Sequence, residues 1–298
     1  MHIEKYHQQL TRKLASNGSE TADLDARLLI CHFLQLGLTS FIMQQNRLLT
    51  KPELAKLQAA EAKALAHMPI SRILQSRQFW GLDFTIDQHV LDPRADSEIL
   101  IETLLHFRPP SFEPLKLLDL GTGSGCLLLA LLHEYQSATG IGADFSAKAL
   151  KIAQLNAKNL NLSNRASFIQ SDWFTQIEAQ KFDIILSNPP YIPHKDITSL
   201  ADNVKLYDPL SALDGGKDGL APYRIITRQA AQYLKPDGIL IFEMGFDQAD
   251  GLFDILQQQD FSSADFVMPN SDNHSKLMNG LGYDLAQNPR IIIAKPKS

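Results

Sequence analysis

Ser187-Asn188-Pro189-Pro190-Tyr191 follows directly on the apolar run Phe182-Asp183-Ile184-Ile185-Leu186. A short run rich in β-branched residues and stopped by two prolines predicts a buried strand with a stiff loop at its carboxyl end, where open α/β sheets place ligand chemistry. Each prolyl ring fixes its own φ and pushes the residue before it out of the helical region. The side-chain oxygen of Asn188 and the carbonyl of Pro189 can then converge on one point, where two acceptors take both hydrogens of a planar NH2 group. Tyr191 offers a flat face to the π-system that carries this nitrogen. The expected catalytic residues are Asn188, Pro189 and Tyr191, and the expected substrate contacts are Asn188, Pro189, Pro190 and Tyr191. The suited substrate is an amide or an aromatic amine, a poor nucleophile because its lone pair is delocalised. Orienting such a nitrogen toward an electrophile is worth roughly 7–11 kcal/mol, so no strong base is required. The competing reading is a plain surface turn, since Asn-Pro and Pro-Pro are ordinary turn dipeptides.

Upstream, an apolar run ends in Asp119-Leu120-Gly121-Thr122-Gly123-Ser124-Gly125, where glycines let a backbone approach a ligand and a helix begins at once. Cys126 stands where the dinucleotide fingerprint has its third glycine, and no Gly-Lys-Ser/Thr follows for nucleotide phosphates. Asp144 ends the next apolar run, placed to accept both hydroxyls of a ribose or else to cap the helix opening near Ser146. Asp172 and Trp173 follow a third run. The carboxylate suits an exocyclic amine and the indole a purine face, with a helix cap and a core residue as the alternatives. Glycines, an acid, then an acid with an aromatic describe a nucleoside site, and the fourth strand end adds the amine clamp. Together they point to S-adenosyl-L-methionine facing a planar nitrogen, with the sulfonium bringing its own activated methyl. The expected cofactor contacts are Gly121, Thr122, Gly123, Ser124, Gly125, Asp144, Asp172, Trp173 and Asn188, with S-adenosyl-L-homocysteine as product.

These residues need a sheet to hold them. Apolar runs at 115–120, 139–143, 166–170, 182–187, 238–243 and 290–294 alternate with amphipathic stretches near 126–135, 147–159, 223–234 and 248–258. That order predicts a mostly parallel, doubly wound α/β sheet with right-handed crossovers. Residues 1 to about 68 carry helical periodicity instead. Leu24, Leu28, Leu29, His32 and Phe33 are expected on one buried face and Leu54, Leu57, Ala60 and Leu65 on another, with Thr50 and Pro52 opening a helix. Phe79 to Val90 reads as a hairpin around Gly81. Arg94 and Glu98 precede an apolar helix, either facing the site or simply flanking a cap at Asp96 or Ser97. The glycine-rich and acidic stretch from Tyr207 to Leu220 reads as an irregular loop on the pocket rim, and 269–282 as a mobile loop.

Composition narrows the partners. With 28 Lys+Arg against 33 Asp+Glu, a formal net charge of −5, the broad basic footprint of a nucleic-acid binder is absent. Cys31 and Cys126 lie far apart in no metal-ligand spacing, which argues for a reducing compartment and against a disulfide scaffold, and no metal is expected. No run approaches a membrane span and the first residues lack a signal-peptide core, so a cytoplasmic protein is expected; a monomer is the expected state, though nothing in the residues fixes it.

Asp119 to Gly125, Asn188-Pro189-Pro190-Tyr191, Asp208-Pro209 to Gly219-Leu220 and Phe242-Glu243-Met244-Gly245 resemble the HemK/PrmC family of protein-(glutamine-N5) methyltransferases. Pro69-Ile70 to Phe79-Trp80 resembles that family's interdomain hairpin, and Pro93 to Glu98 its acidic loop. The resemblance implies a class I methyltransferase fold in three parts: a helical substrate-docking domain at 1–68, a hairpin linker at 69–92 and a catalytic domain at 93–298. It also implies methyl transfer to the glutamine of the Gly-Gly-Gln motif in class 1 peptide-chain release factors. Asn-Pro-Pro-Tyr is shared with enzymes that methylate amino groups of DNA and RNA, so a ribosomal-protein glutamine and a nucleic-acid base are the alternative substrates. Arg72, Gln75, Asp92, Ala95 and Asp208 depart from the residues usual in the family.

Overall fold

A computed structural model describes residues 1–264, 266–269, 275–278, 280–284 and 286–297. The chain divides into two compact units, one made of Met1–Ser76 with Ala201–Tyr207, the other of Arg77–Leu200 with Asp208–Ser298.

The first unit is helical: α1 (Ile3–Ser16), α2 (Ala22–Leu34), α3 (Leu38–Met43), α4 (Lys51–Leu65) and α5 (Ile70–Leu74). Helix α4 starts as its residues dictate. Thr50 and Glu53 form a reciprocal capping box, and Pro52 occupies the first turn. The buried stripes differ from the expected ones. On α2 the small Ala22 and Ala26 join Leu29 and Ile30 inside while Leu24 and Leu28 are exposed; on α4 Leu57, Ala60 and Ala64 are buried. Leu29, Leu57 and Ala60 are buried as expected, but on α2 the face turns away from Leu24 and Leu28 because alanines let neighbouring helices approach. Glu61 is nevertheless buried on α4, where its carboxylate accepts the Tyr6 hydroxyl at 2.8 Å and pairs with Lys13.

The second unit begins with the hairpin β1 (Ser76–Phe79) and β2 (Leu82–Thr85). Trp80 and Gly81 both have positive φ, 51° and 69°, the two-residue turn whose twist matches paired strands. The backbone N–H of Trp80 donates to the Glu98 carboxylate at 2.7 Å, and its indole N–H to Glu134 at 2.7 Å. Glu98 is thus a hairpin anchor.

Next come α6 (Glu98–Phe107), β3 (Lys116–Leu120), α7 (Cys126–Glu134), β4 (Thr139–Asp144), α8 (Ala147–Asn159), β5 (Ala166–Gln170) and β6 (Phe182–Ser187). After the short α9 (Asp202–Lys205), which belongs to the first unit, follow α10 (Ala221–Tyr233), β7 (Leu234–Glu243), α11 (Ala249–Gln258), β8 (Phe261–Ser263), β9 (Phe266–Pro269), β10 (Ser275–Met278), β11 (Leu281–Tyr283) and β12 (Pro289–Pro296). The large sheet runs β11-β12-β7-β6-β3-β4-β5, with β8 also on β12. Pairs from β7 to β5 are parallel, while those of β12 are antiparallel. All six residues of β6 are buried, as a strand covered by helices on both faces requires. One core cluster, with Leu128, Leu186 and Ile241, lies beneath α6 and α7; the other, with Ile185, Leu240 and Phe242, lies beneath α10 and α11.

The mobile loop expected over 269–282 is corrected. β9 and β10 pair antiparallel, and β11 joins the sheet edge, while 270–274 and 279 lie outside the described residues. A ladder satisfies backbone groups whatever the side chains, so polarity alone misread these strands.

Candidate active site

The carboxyl ends of β3, β4, β5 and β6 open on a cavity of about 190 Å³. Its wall includes Gly121, Thr122, Gly123 and Ser124 after β3, Asp144 at the end of β4, Asp172 and Trp173 after β5, and Asn188 and Pro190 after β6. Residues around Val90–Arg94, Ser97 and Pro209–Ala212 complete it. Nine of the twelve expected site residues therefore meet at one cavity. Gly125, Pro189 and Tyr191 do not line it.

The glycine loop is shaped by its backbone. Gly121, Gly123 and Gly125 have φ of 75°, 55° and 79°, a region that side chains disfavour. The amides of Gly121 and Thr122 donate to the Ala143 carbonyl at 2.8 and 3.0 Å, and the Gly123 amide donates to Asp144 Oδ2 at 2.9 Å. Gly125 serves packing: a Cβ there would lie 3.2 Å from both Ala153 and Leu129, so the glycine lets α7 start close against α8. Asn156, fully buried on α8, donates to the Ser124 carbonyl at 2.9 Å and pairs with both backbone groups of Thr85.

Asp144 is not the cap of α8, the alternative to ribose binding. Its Oδ1 accepts the Ser146 amide at 2.8 Å, yet Ser146 itself caps α8 through Ala149. A carboxylate has about four acceptor sites, so capacity remains on the cavity side. Burial pushes the Asp144 carboxyl up, opposed by the Ser146 and Gly123 amides. Asp172 caps no helix, since none starts there, and Trp173 has a φ of 50° that turns the chain at the cavity wall.

Beneath the loop, Asp119 is buried and pushed up to about 7 by burial, with Thr122 donating at 2.6 Å and pulling it back. Its Oδ1 has no partner within the protein.

At the fourth strand end, Ser187 Oγ donates to the Leu120 carbonyl at 2.6 Å and locks β6 to β3. Asn188 Nδ2 donates to Ser97 Oγ at 3.2 Å. Ser97, expected as a helix cap, makes no cap bond and turns to the site instead. Tyr191 packs against the core; burial pushes its phenol up to about 12, and its carbonyl accepts Gln248 Nε2 at 2.8 Å. Arg94 lines the cavity and donates to the buried Asp208 at 2.8 Å. Glu243 and Gln248 escaped the residue-by-residue reading. The available signal was an acid closing the apolar run Ile239-Leu240-Ile241-Phe242. Among the described residues no group of His, Cys, Asp and Glu could hold a metal ion, and no helix is long and apolar enough to cross a membrane.

The residues present suit S-adenosylmethionine. Gly121 and Gly123 leave open space where a Cβ would stand, nothing lying nearer than 3.9 Å, and the carboxylates with Trp173 match a cationic nucleoside. Fold and site together define an α/β class I S-adenosylmethionine-dependent methyltransferase. The fold is shared with a methyltransferase from Pyrococcus furiosus, TM-score 0.51 at 17% identity, covering 81% of this chain and 98% of that one. The methyltransferase small domain family matches residues 90–204 and the PrmC N-terminal domain family residues 6–74. Release factor glutamine methyltransferases of Agrobacterium fabrum and Bradyrhizobium diazoefficiens are 40% and 41% identical over 86% and 85% of this chain, and 89% and 86% of theirs. The chain belongs to the release factor glutamine methyltransferase family. It is also 33% identical over 89% of its length to a bifunctional methyltransferase of Rickettsia prowazekii, of which the match covers 54%.

Proposed function

We propose that this enzyme methylates the side-chain amide nitrogen, N5, of the glutamine in the Gly-Gly-Gln motif of class 1 peptide-chain release factors, and that the helical unit docks the protein substrate. The observation that carries this reading is the placement of Asn188 on the same cavity wall as Gly121, Gly123, Asp144 and Trp173, in a chain 40% identical to release factor glutamine methyltransferases. S-adenosylmethionine, when bound, supplies an electrophilic methyl on its sulfonium. In this reading Gly121 to Ser124, Asp144, Asp172 and Trp173 hold it. Asn188 Oδ1 on the cavity wall accepts an amide hydrogen and turns the nitrogen toward the methyl donor, and Pro190 beside it confines the amide plane. For the Pro189 carbonyl to take the second hydrogen and Tyr191 to flank the amide, the substrate must reach past the cavity wall. Gly125 contributes through the placement of α7. The methylated nitrogen gives up one proton to solvent, so the clamp needs no base.

Incubating the protein with labelled S-adenosylmethionine and a release factor, followed by peptide mapping, is expected to place one methyl on that glutamine. A protein that binds the cofactor yet labels ribosomes or nucleic acid instead overturns the substrate assignment.

A further inference from the structure

A carboxamide is nearly symmetric in shape, so packing alone does not decide which end of Asn188 faces a ligand; hydrogen bonds must. The sheet register identifies the group that decides. In the β6–β7 pair Leu186 faces Ile241 and Ser187 faces Phe242, so the next step brings Asn188 beside Glu243. Leu186 and Ile241 point into the cluster under α6, and side chains alternate along a strand. Asn188 and Glu243 therefore emerge on the α6 side, where Ser97 stands just before that helix.

The contacts agree with this register. Asn188 Nδ2 donates to Ser97 Oγ at 3.2 Å, and Ser97 and Asn188 both lie close enough to the Glu243 carboxyl to pull it down against its burial. Glu243 is 4% exposed, and its Oε2 has no hydrogen-bond partner. An ionised carboxylate only accepts, so it takes the NH2 end of Asn188 and leaves the amide oxygen for the cavity.

We infer that Glu243 is a positioning residue for methyl transfer: with Ser97 it holds the NH2 end of Asn188, so that Oδ1 is presented to the substrate amide. The inference rests on the reading of Asn188 as the glutamine clamp. It also accounts for a buried acid at the carboxyl end of β7.

Protonation has a definite consequence. Burial pushes the Glu243 carboxyl up to about 7, against the bonds from Ser97 and Asn188 and the charge of Arg290, with Asp96 adding repulsion. The phenols of Tyr191 and Tyr223 and the thiol of Cys126 also feel Glu243, and burial pushes all three up, so they stay neutral. Below about pH 7 the carboxyl gains a proton, becomes a donor and no longer distinguishes the two ends of Asn188. The rate therefore falls as pH drops through that range.

The test compares wild type, Glu243→Gln, Ser97→Ala and Asn188→Ala. Glu243→Gln keeps the side-chain volume but introduces an NH2 at this position, so kcat is expected to fall about tenfold or more while KM for both substrates holds within about twofold. The acid limb of the pH–kcat profile should vanish in Glu243→Gln. Its thermal midpoint should gain on wild type as pH rises through about 7, where the buried carboxyl loses its contribution to stability. Ser97→Ala should lose less kcat and keep the limb. In ligand-free protein, the side-chain 15N–H2 signal of Asn188 should titrate near pH 7 in wild type and not in Glu243→Gln. A Glu243→Gln enzyme with wild-type kcat and an intact acid limb, beside an inactive Asn188→Ala, overturns the inference and leaves the proposed function standing. A wild-type protein whose Asn188 signal titrates but which labels no release factor overturns the proposed function instead.

Discussion

The two walls of the cavity are built on different principles. On the glycine-loop wall the shape comes from backbone: three glycines at positive φ, amides of residues 121–123 bonded to Ala143 and Asp144, and the Ser124 carbonyl held by Asn156. On the Asn-Pro-Pro-Tyr wall it comes from side chains. Ser187 ties the strand end to Leu120, Ser97 holds Asn188, and Gln248 bonds the carbonyls of Tyr191 and Gly219 at 2.8 and 3.3 Å. A backbone cradle tolerates most changes among its polar side chains and fails where a glycine gains a Cβ. A tip held by a few buried polar atoms keeps its fold when one is lost but misdirects its chemistry.

Breaking each wall separately sharpens this contrast. The largest effect is expected from Asn188→Ala, which removes an acceptor aimed at the reacting amide: a loss of roughly 10²–10³ in kcat, with cofactor affinity by calorimetry nearly unchanged. On the opposite wall Gly125→Val forces a β-branched residue into positive φ and drives a Cβ to 3.2 Å from Ala153. Urea unfolding should show a loss of about 2–4 kcal/mol, from left-handed backbone strain together with overpacking. In that variant cofactor affinity should fall along with rate, the reverse of the Asn188→Ala pattern.

Asp119→Asn tests the electrostatics beneath the loop. The folded state raises this carboxyl to about 7 from 3.8, so its contribution to stability is present below the lower value and is lost as pH rises through about 7. The thermal midpoint of Asp119→Asn should accordingly gain on wild type as pH rises across that interval. Smallest of all, Arg224→Ala removes the half-exposed pair with Asp218 on the rim loop and should change stability by at most ~0.5 kcal/mol. The pairing lowers the Asp218 carboxyl to about 2, so even that contribution is present above the ordinary aspartate range and disappears as pH falls toward 2.

How far the residues alone led depended on the kind of element. Strand 182–187 and helix 147–159 fall where expected because a buried parallel strand is a continuous apolar run and α8 opens on its own serine cap. The helical unit was less legible. Its close packing uses Ala22, Ala26 and Ala64, small residues that a search for bulky stripes passes over, although Ala60 lies where expected. In the site, Gly121 to Ser124, Asp144, Asp172, Trp173 and Asn188 were readable because each ends a strand. Ser97 and Glu243 were not, since 91 and 55 positions separate them from Asn188 and only strand pairing brings them together.

By itself the sequence determined the local conformations: prolines and glycines restrict φ, and apolar periodicity selects strand or helix, both acting within a few residues. Tertiary structure alone decided which buried acid faces which amide, and hence which atom of Asn188 meets the cavity. That choice depends on sheet order and register, which sum weak contacts over the whole unit and leave no short-range trace.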